Sequence, residues 1–187
     1  MSIITAPHPT LRKKANPITT VDKKLLQNIQ LLIENLVLEK DPQGVGLAFP
    51  QINKSIRGFA FRPETNKNKN AVRVFLNPKI LSHSETQSFG ENENEPDLEG
   101  CLSVPKFFAP IPRWDWLELE FQLVNDQQLI SHKQRFSGYH ARIVQHELDH
   151  LDGILFTDYV LQHDLPIYIQ KHNKLVAFED KELLKAY

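Results

Sequence analysis

Two imidazoles and a carboxylate stand together in His146-Glu147-Leu148-Asp149-His150. If this segment is helical, residues four apart sit one turn apart on one face, so both rings reach a single cation. A bound divalent ion lowers the pKa of water toward ~7, and Glu147 stands beside it to take the proton. The pattern is short, however, and the chain has eight histidines, so the bland alternative is a chance pair on a solvated helix.

A catalytic site of this kind uses a third protein ligand and keeps one position open. The longer pattern HExxHxxGxxH fits through Gly153 and then fails, because Phe156 stands where the last histidine belongs. Glu179 and Glu182 lie downstream without a ligand motif around them. Asp152 and Asp158 are nearer, but Asp152 is expected to face away from the histidine pair. Cys101, the single cysteine, is the strongest remaining donor, since a thiolate binds iron, cobalt, nickel or zinc. A lone cysteine is otherwise a small buried apolar residue, and both readings stand at this point.

Something must hold these groups in place. Gly138–Asp152 reads as a helix, with Ser137 as its N-cap and Gly153 as its stop. Asp22–Lys40 has a clear helical period through Leu25, Leu26, Ile29, Leu32, Ile33, Leu36 and Val37. Thr20 or Asp22 starts that helix and Asp41-Pro42 stops it. Arg57–Phe61 and Ala71–Leu76 are β-rich, and Asn77-Pro78 is expected to break the second strand. Leu117–Val124 alternates apolar with polar and turns at Asn125-Asp126 into Gln128–Phe136, a hairpin. The expected fold is α+β. Small mixed or antiparallel sheets surround a central helix that bears the HExxH motif, with an N-terminal helix and a C-terminal helical tail.

The bulk numbers fit one domain over residues 1–187, with 41% hydrophobic residues to build a core. One cysteine excludes an internal disulfide. With 22 basic against 23 acidic side chains there is no nucleic-acid signature. No apolar stretch approaches the ~18 residues of a membrane span. The first residues, MSIITAPHPTLRKK, do not read as a secretory signal, nor as an Arg- and Ser-rich transit segment. Bacterial cytoplasm is the expectation.

Three segments together resemble the peptide deformylases: Gly44-Val45-Gly46-Leu47-Ala48-Phe49-Pro50-Gln51, then Glu99-Gly100-Cys101-Leu102-Ser103, then Gln145-His146-Glu147-Leu148-Asp149-His150. Their order and spacing agree with that family. So do PHPTLRKKANPI near the start, FLNP at Phe75–Pro78, IPR at Ile111–Arg113 and HLDGILFTD through Asp158. The resemblance implies hydrolysis of the N-formyl group from the starting methionine of nascent, ribosome-associated polypeptides. It implies Cys101, His146 and His150 as ligands of one divalent metal, Fe2+ in the cell, with Zn2+, Ni2+ or Co2+ possible in purified protein. Glu147 then matches the general base and acid. The Gln51 side chain and the Leu102 backbone N–H match the donors that hold the oxyanion. Gly44, Val45, Gly46 and Gly100 match the segments that take the peptide as an added strand. Ile143 and Val45 are candidate walls for an apolar methionine pocket.

One departure bears on substrate preference. Phe49 stands where the resemblance implies a small residue, and a bulky ring there either narrows the cleft or shifts Gln51. Two rivals stay open: a HExxH protease that cuts internal peptide bonds, and a deformylase-like binding module without activity. Replacing Cys101 separates the first of them. Cys101→Ala is expected to lose most of the bound metal, measured by elemental analysis; a protease with a ligand downstream of His150 keeps it.

Overall fold

The computed structural model describes residues 3–40, 43–63, 72–92 and 94–187. The expected helix stop at Asp41-Pro42 and the Ala71 end of the second strand lie outside them. In chain order the first elements are α1 (Lys23–Leu38), β1 (Gly46–Ala48), β2 (Gly58–Phe61), β3 (Arg73–His83) and β4 (Gln87–Ser88). Next come β5 (Leu98–Cys101), β6 (Val104–Pro110), β7 (Arg113–Trp114), β8 (Trp116–Asn125) and β9 (Gln128–Ser137). The chain ends with α2 (Gly138–Asp152), α3 (Phe156–His163), β10 (Tyr168–Lys171) and β11 (Lys174–Ala177).

Five strands form one sheet in the order β1-β2-β3-β8-β9, and four form another in the order β11-β10-β6-β5. Every ladder between the described strands is antiparallel. In the five-stranded sheet, side chains alternate between two covers. Phe59, Phe61, Phe75, Leu117, Leu119 and Phe121 meet Ala141, Val144, Leu148 and Leu151 of α2. Ala60 and Leu76 turn the other way and meet Leu25, Leu32 and Leu36 of α1. A third cluster joins β6 to α3 and the C-terminal segment through Phe107, Ala109, Phe156, Val160 and Leu184.

The spacing of 141, 144, 148 and 151 leaves the opposite face of α2 to other residues. Arg142, His146 and Asp149 occupy it, and their partners Glu99 and Arg113 lie on β5 and β7. This helix is therefore covered on two sides, which is why polar residues such as Glu147 and His150 are buried on it.

Local rules account for most boundaries. Asp22 caps α1, its Oδ1 accepting from the Leu25 N–H at 2.7 Å. Asp126 and Gln127 both take positive φ between β8 and β9, the geometry of a two-residue type I′ hairpin. Gly153 takes the left-handed conformation that ends α2.

Two expectations need correction, and a third holds in position alone. Asn77-Pro78 does not end its strand: β3 runs on to His83 through a shift of register between Leu76 and Lys79. The proline falls where the ladder is already interrupted, so its missing N–H costs nothing there. Asn77 fastens the bulge, its Nδ2 donating to the Ile18 carbonyl and to Gln122 Oε1, each at 2.7 Å. Ser137 sits at the N-cap position of α2, but its side chain makes no capping bond. The tail is helical only over α3 and a final 3-10 turn; between them β10 and β11 form a hairpin that extends the four-stranded sheet.

Asp22→Ala is expected to cost about 1 kcal/mol of stability, read as a lower urea midpoint with an unchanged slope.

Candidate metal centre

β5 brings its alternate residues Glu99 and Cys101 to one buried face. Across from it, α2 presents His146 and His150. Cys101 Sγ lies 3.2 Å from His150 Nε2, and one donor atom from each of Cys101, His146 and His150 falls within 4.8 Å of the others. The structure thus brings these three together. Among the described residues, Asp152, Asp158 and Glu182 are engaged elsewhere, with Arg57, Arg12 and Lys185. Phe156 is buried beside His146.

The donor set fits a cation. One thiol and two imidazoles are the ligand types preferred by zinc and the later transition metals. His146 Nδ1 is held at 3.1 Å by Glu99 Oε2, so its Nε2 is left for the centre. A carboxylate behind a histidine in this way fixes ring and tautomer in metal sites.

Glu99 has the surroundings to remain ionised. Burial would raise its carboxyl, but Arg113 and His146 outweigh burial and hold it well below the usual range. Arg113 grips both carboxylate oxygens at 2.9 Å. Its third nitrogen donates to Asp149 Oδ2 at 2.6 Å. Arg142 adds a bond to Glu99 Oε1 at 3.1 Å and one to the Ile111 carbonyl at 2.6 Å. Burial lowers His146, yet its bonds to Cys101 and Glu99 raise it well above the ordinary value. Burial, then the charge of His146, lowers His150.

Glu147 is 3% exposed, and its Oε2 has no hydrogen-bond partner among the described residues. Burial above all pushes its pKa up to about 7. A carboxyl with that value both accepts and releases protons near neutral pH. Its carboxylate packs against Gly46, where an added Cβ would overlap Oε1. Gln51 is buried with its amide Nε2 3.7 Å from Cys101 Sγ.

The other expected residues are distributed as follows. Leu102 is in the turn after β5, with its side chain against the α1 cluster. Gly44 makes room for Leu36 of α1, and Gly100 for the Phe108 ring. Val45 and Ile143 pack against the cluster between the five-stranded sheet and α2. The Phe49 ring is fully buried in the α1 cluster with Leu47, Ile52 and Leu76, so it does not narrow the cleft.

A family model described as polypeptide deformylase matches residues 1–165. The chain belongs to the polypeptide deformylase family. It is 36% identical to the peptide deformylase of Wolinella succinogenes over 161 residues, 84% of this chain and 86% of that one. It is 34% identical to peptide deformylase 1 of Vibrio vulnificus over 182 residues, 95% of this chain and 98% of that one. The crystal structure of the Thermotoga maritima peptide deformylase superposes with a TM-score of 0.70 at 32% identity, covering 84% of this chain and 95% of that one. An Arabidopsis thaliana peptide deformylase 1B in complex with an inhibitor gives 0.72 at 30% identity, covering 85% and 81%.

The charged residues behind Cys101 and His146 are less evident in the sequence. Glu99 carried a signal: it lies two residues before Cys101, hence on the same face of any strand. Arg113 lies in the family-like segment Ile111–Arg113, but nothing in the sequence shows its partners or those of Arg142, because they are remote in the chain. The close fit at Gly46 gives a direct test. Gly46→Ala is expected to displace the Glu147 carboxylate and lower kcat by on the order of 10², with full metal content and unchanged circular dichroism.

Proposed function

We propose that residues 1–187 act as one catalytic domain that removes the formyl group from the N-terminal formyl-methionine of newly made polypeptides and releases formate. In this reading Cys101, His146 and His150 hold one divalent ion, Fe2+ in the cell and Zn2+, Ni2+ or Co2+ after purification. When bound, such an ion supplies Lewis acidity and lowers the pKa of water. Glu147 takes a proton from the attacking water at its unpaired Oε2 and returns it to the departing amine. The Gln51 amide and the Leu102 backbone N–H face the formyl oxygen and stabilise the charge that grows on it.

The peptide lies extended along Gly44, Val45 and Gly46, with Gly100 on the opposite side. β1 and β5 are the edge strands of their sheets, so each has main-chain groups left to pair with an added strand. Val45 and Ile143 contribute apolar surface for the methionine side chain. The enzyme works beside the translating ribosome in the bacterial cytoplasm; no described helix is long and apolar enough to cross a membrane.

One observation carries the reading: a sulfur and two imidazole nitrogens within 4.8 Å of one another, beside a buried carboxylate oxygen with no hydrogen-bond partner among the described residues. The protease alternative needs a ligand after His150, and among the described residues Asp152, Asp158 and Glu182 are paired elsewhere.

Anaerobically purified protein is expected to release one formate per formyl-methionyl tripeptide. Glu147→Gln is expected to keep its metal and lose ~10²-fold or more in kcat. Cleavage of internal peptide bonds without formate would reject this reading in favour of a protease, and binding without turnover in favour of an inactive module.

A further inference from the structure

We infer that Ser103 is a positioning residue that aims the Gln51 amide, an inference that rests on the oxyanion role given to Gln51 above. Ser103 is fully buried in the turn between β5 and β6. Its hydroxyl oxygen accepts a hydrogen bond from Gln51 Nε2 at 3.2 Å. The other end of the amide is held as well, with Oε1 accepting from the Ala48 N–H at 2.8 Å. A main-chain N–H can only donate, so this bond decides which end of the amide is oxygen. Nε2, with two hydrogens, therefore faces Ser103 and the metal centre.

One of those hydrogens goes to the Ser103 hydroxyl. The other is donated to Cys101 Sγ over a long 3.7 Å, and it is the one that a developing oxyanion would draw off. The terminal torsion of a glutamine is soft. With Ser103 the amide plane is fixed at both ends; without it, the Nε2 end keeps only the longer contact to Cys101 Sγ at 3.7 Å. An oxyanion donor contributes because it needs no reorientation as charge develops, so a second anchor matters to rate more than to binding.

The Ser103 main chain is itself tied down, independently of the hydroxyl. Its N–H donates to Cys101 Sγ at 3.4 Å, and its carbonyl accepts from the Ala6 N–H at 2.9 Å. Two residues earlier, the Ile4 N–H donates to the Gln51 carbonyl at 2.8 Å. The N-terminal segment thus spans from Gln51 to Ser103 and fixes the distance between their backbones.

The test is steady-state deformylation of a formyl-methionyl tripeptide by metal-loaded wild type, Ser103→Ala, Gln51→Ala and the double variant. Metal content and the thiolate-to-cobalt absorption band of Co2+-loaded protein are read alongside. Ser103→Ala is expected to lower kcat on the order of tenfold, less than the ~10²–10³ of losing an oxyanion donor outright, with little change in KM. Metal content and the cobalt band stay at wild-type values, and the effect disappears in the Gln51→Ala background. Ser103→Thr and Ser103→Val match in shape and differ in the hydroxyl, so Thr recovers kcat relative to Val. A wild-type kcat in Ser103→Ala, an undiminished loss in the Gln51→Ala background, or a fall in metal content overturns the inference. A wild-type protein that releases no formate overturns the proposed function, and the role of Ser103 with it.

Discussion

The buried carboxylate of Glu99 is the junction on which the rest of the site depends. It receives bonds from Arg113 on β7 and from Arg142 and His146 on α2. A buried charge without partners costs several kcal/mol, and breaking one member out of a buried ionic cluster costs roughly 3–5 kcal/mol. The two guanidiniums and the imidazole tie the edge strand β5 to β7 and α2, and removing any one of them leaves buried charge uncompensated. Cys101 lies two residues along that strand, and His146 is itself one of the partners. The clamp that neutralises Glu99 also sets the distance between the thiol and the imidazoles.

The layered fold explains how a helix comes to carry such groups. One face of α2 lies on the phenylalanine-rich side of the five-stranded sheet. The other looks toward β5, at the edge of the second sheet. The buried polar atoms near the centre either have partners or, like Glu147 Oε2 and His150 Nδ1 among the described residues, have none. Glu147 belongs to the second kind: burial keeps its carboxyl near neutrality in pKa, and Gly46 gives it room. Gln51 reaches the same point from a different element, the 3-10 turn Phe49–Ile52 after β1. Gln51, Cys101 and the His146, Glu147 and His150 group thus come from three separate segments that two sheets and one helix hold in register.

Much of this was legible in the sequence, for reasons that can be named. The helix Gly138–Asp152 was readable because Ser137 and Gly153 mark its two ends. The β8–β9 hairpin was readable because strict alternation over Leu117–Leu123 leaves no other period. Cys101 was not readable from spacing alone; the ordered motifs of the family gave it its partners. What stayed hidden depends on contacts remote in sequence. Asn77-Pro78 looks like a break until Ile18 and Gln122 are brought to it. Phe49 looks like an obstruction in the cleft until the cluster that receives its ring is assembled. Arg142 looks like a solvated helix residue until Glu99 and the Ile111 carbonyl meet it. The C-terminal hairpin was hidden by short mixed patterns; its strands pair with each other, and β10 is joined to the remote β6.

X-ray absorption at the metal edge of the loaded protein tests the central claim most directly. The account predicts one sulfur scatterer together with two imidazoles around the ion, and loss of the sulfur shell in Cys101→Ala. A first shell of nitrogen and oxygen alone in the wild type would contradict it.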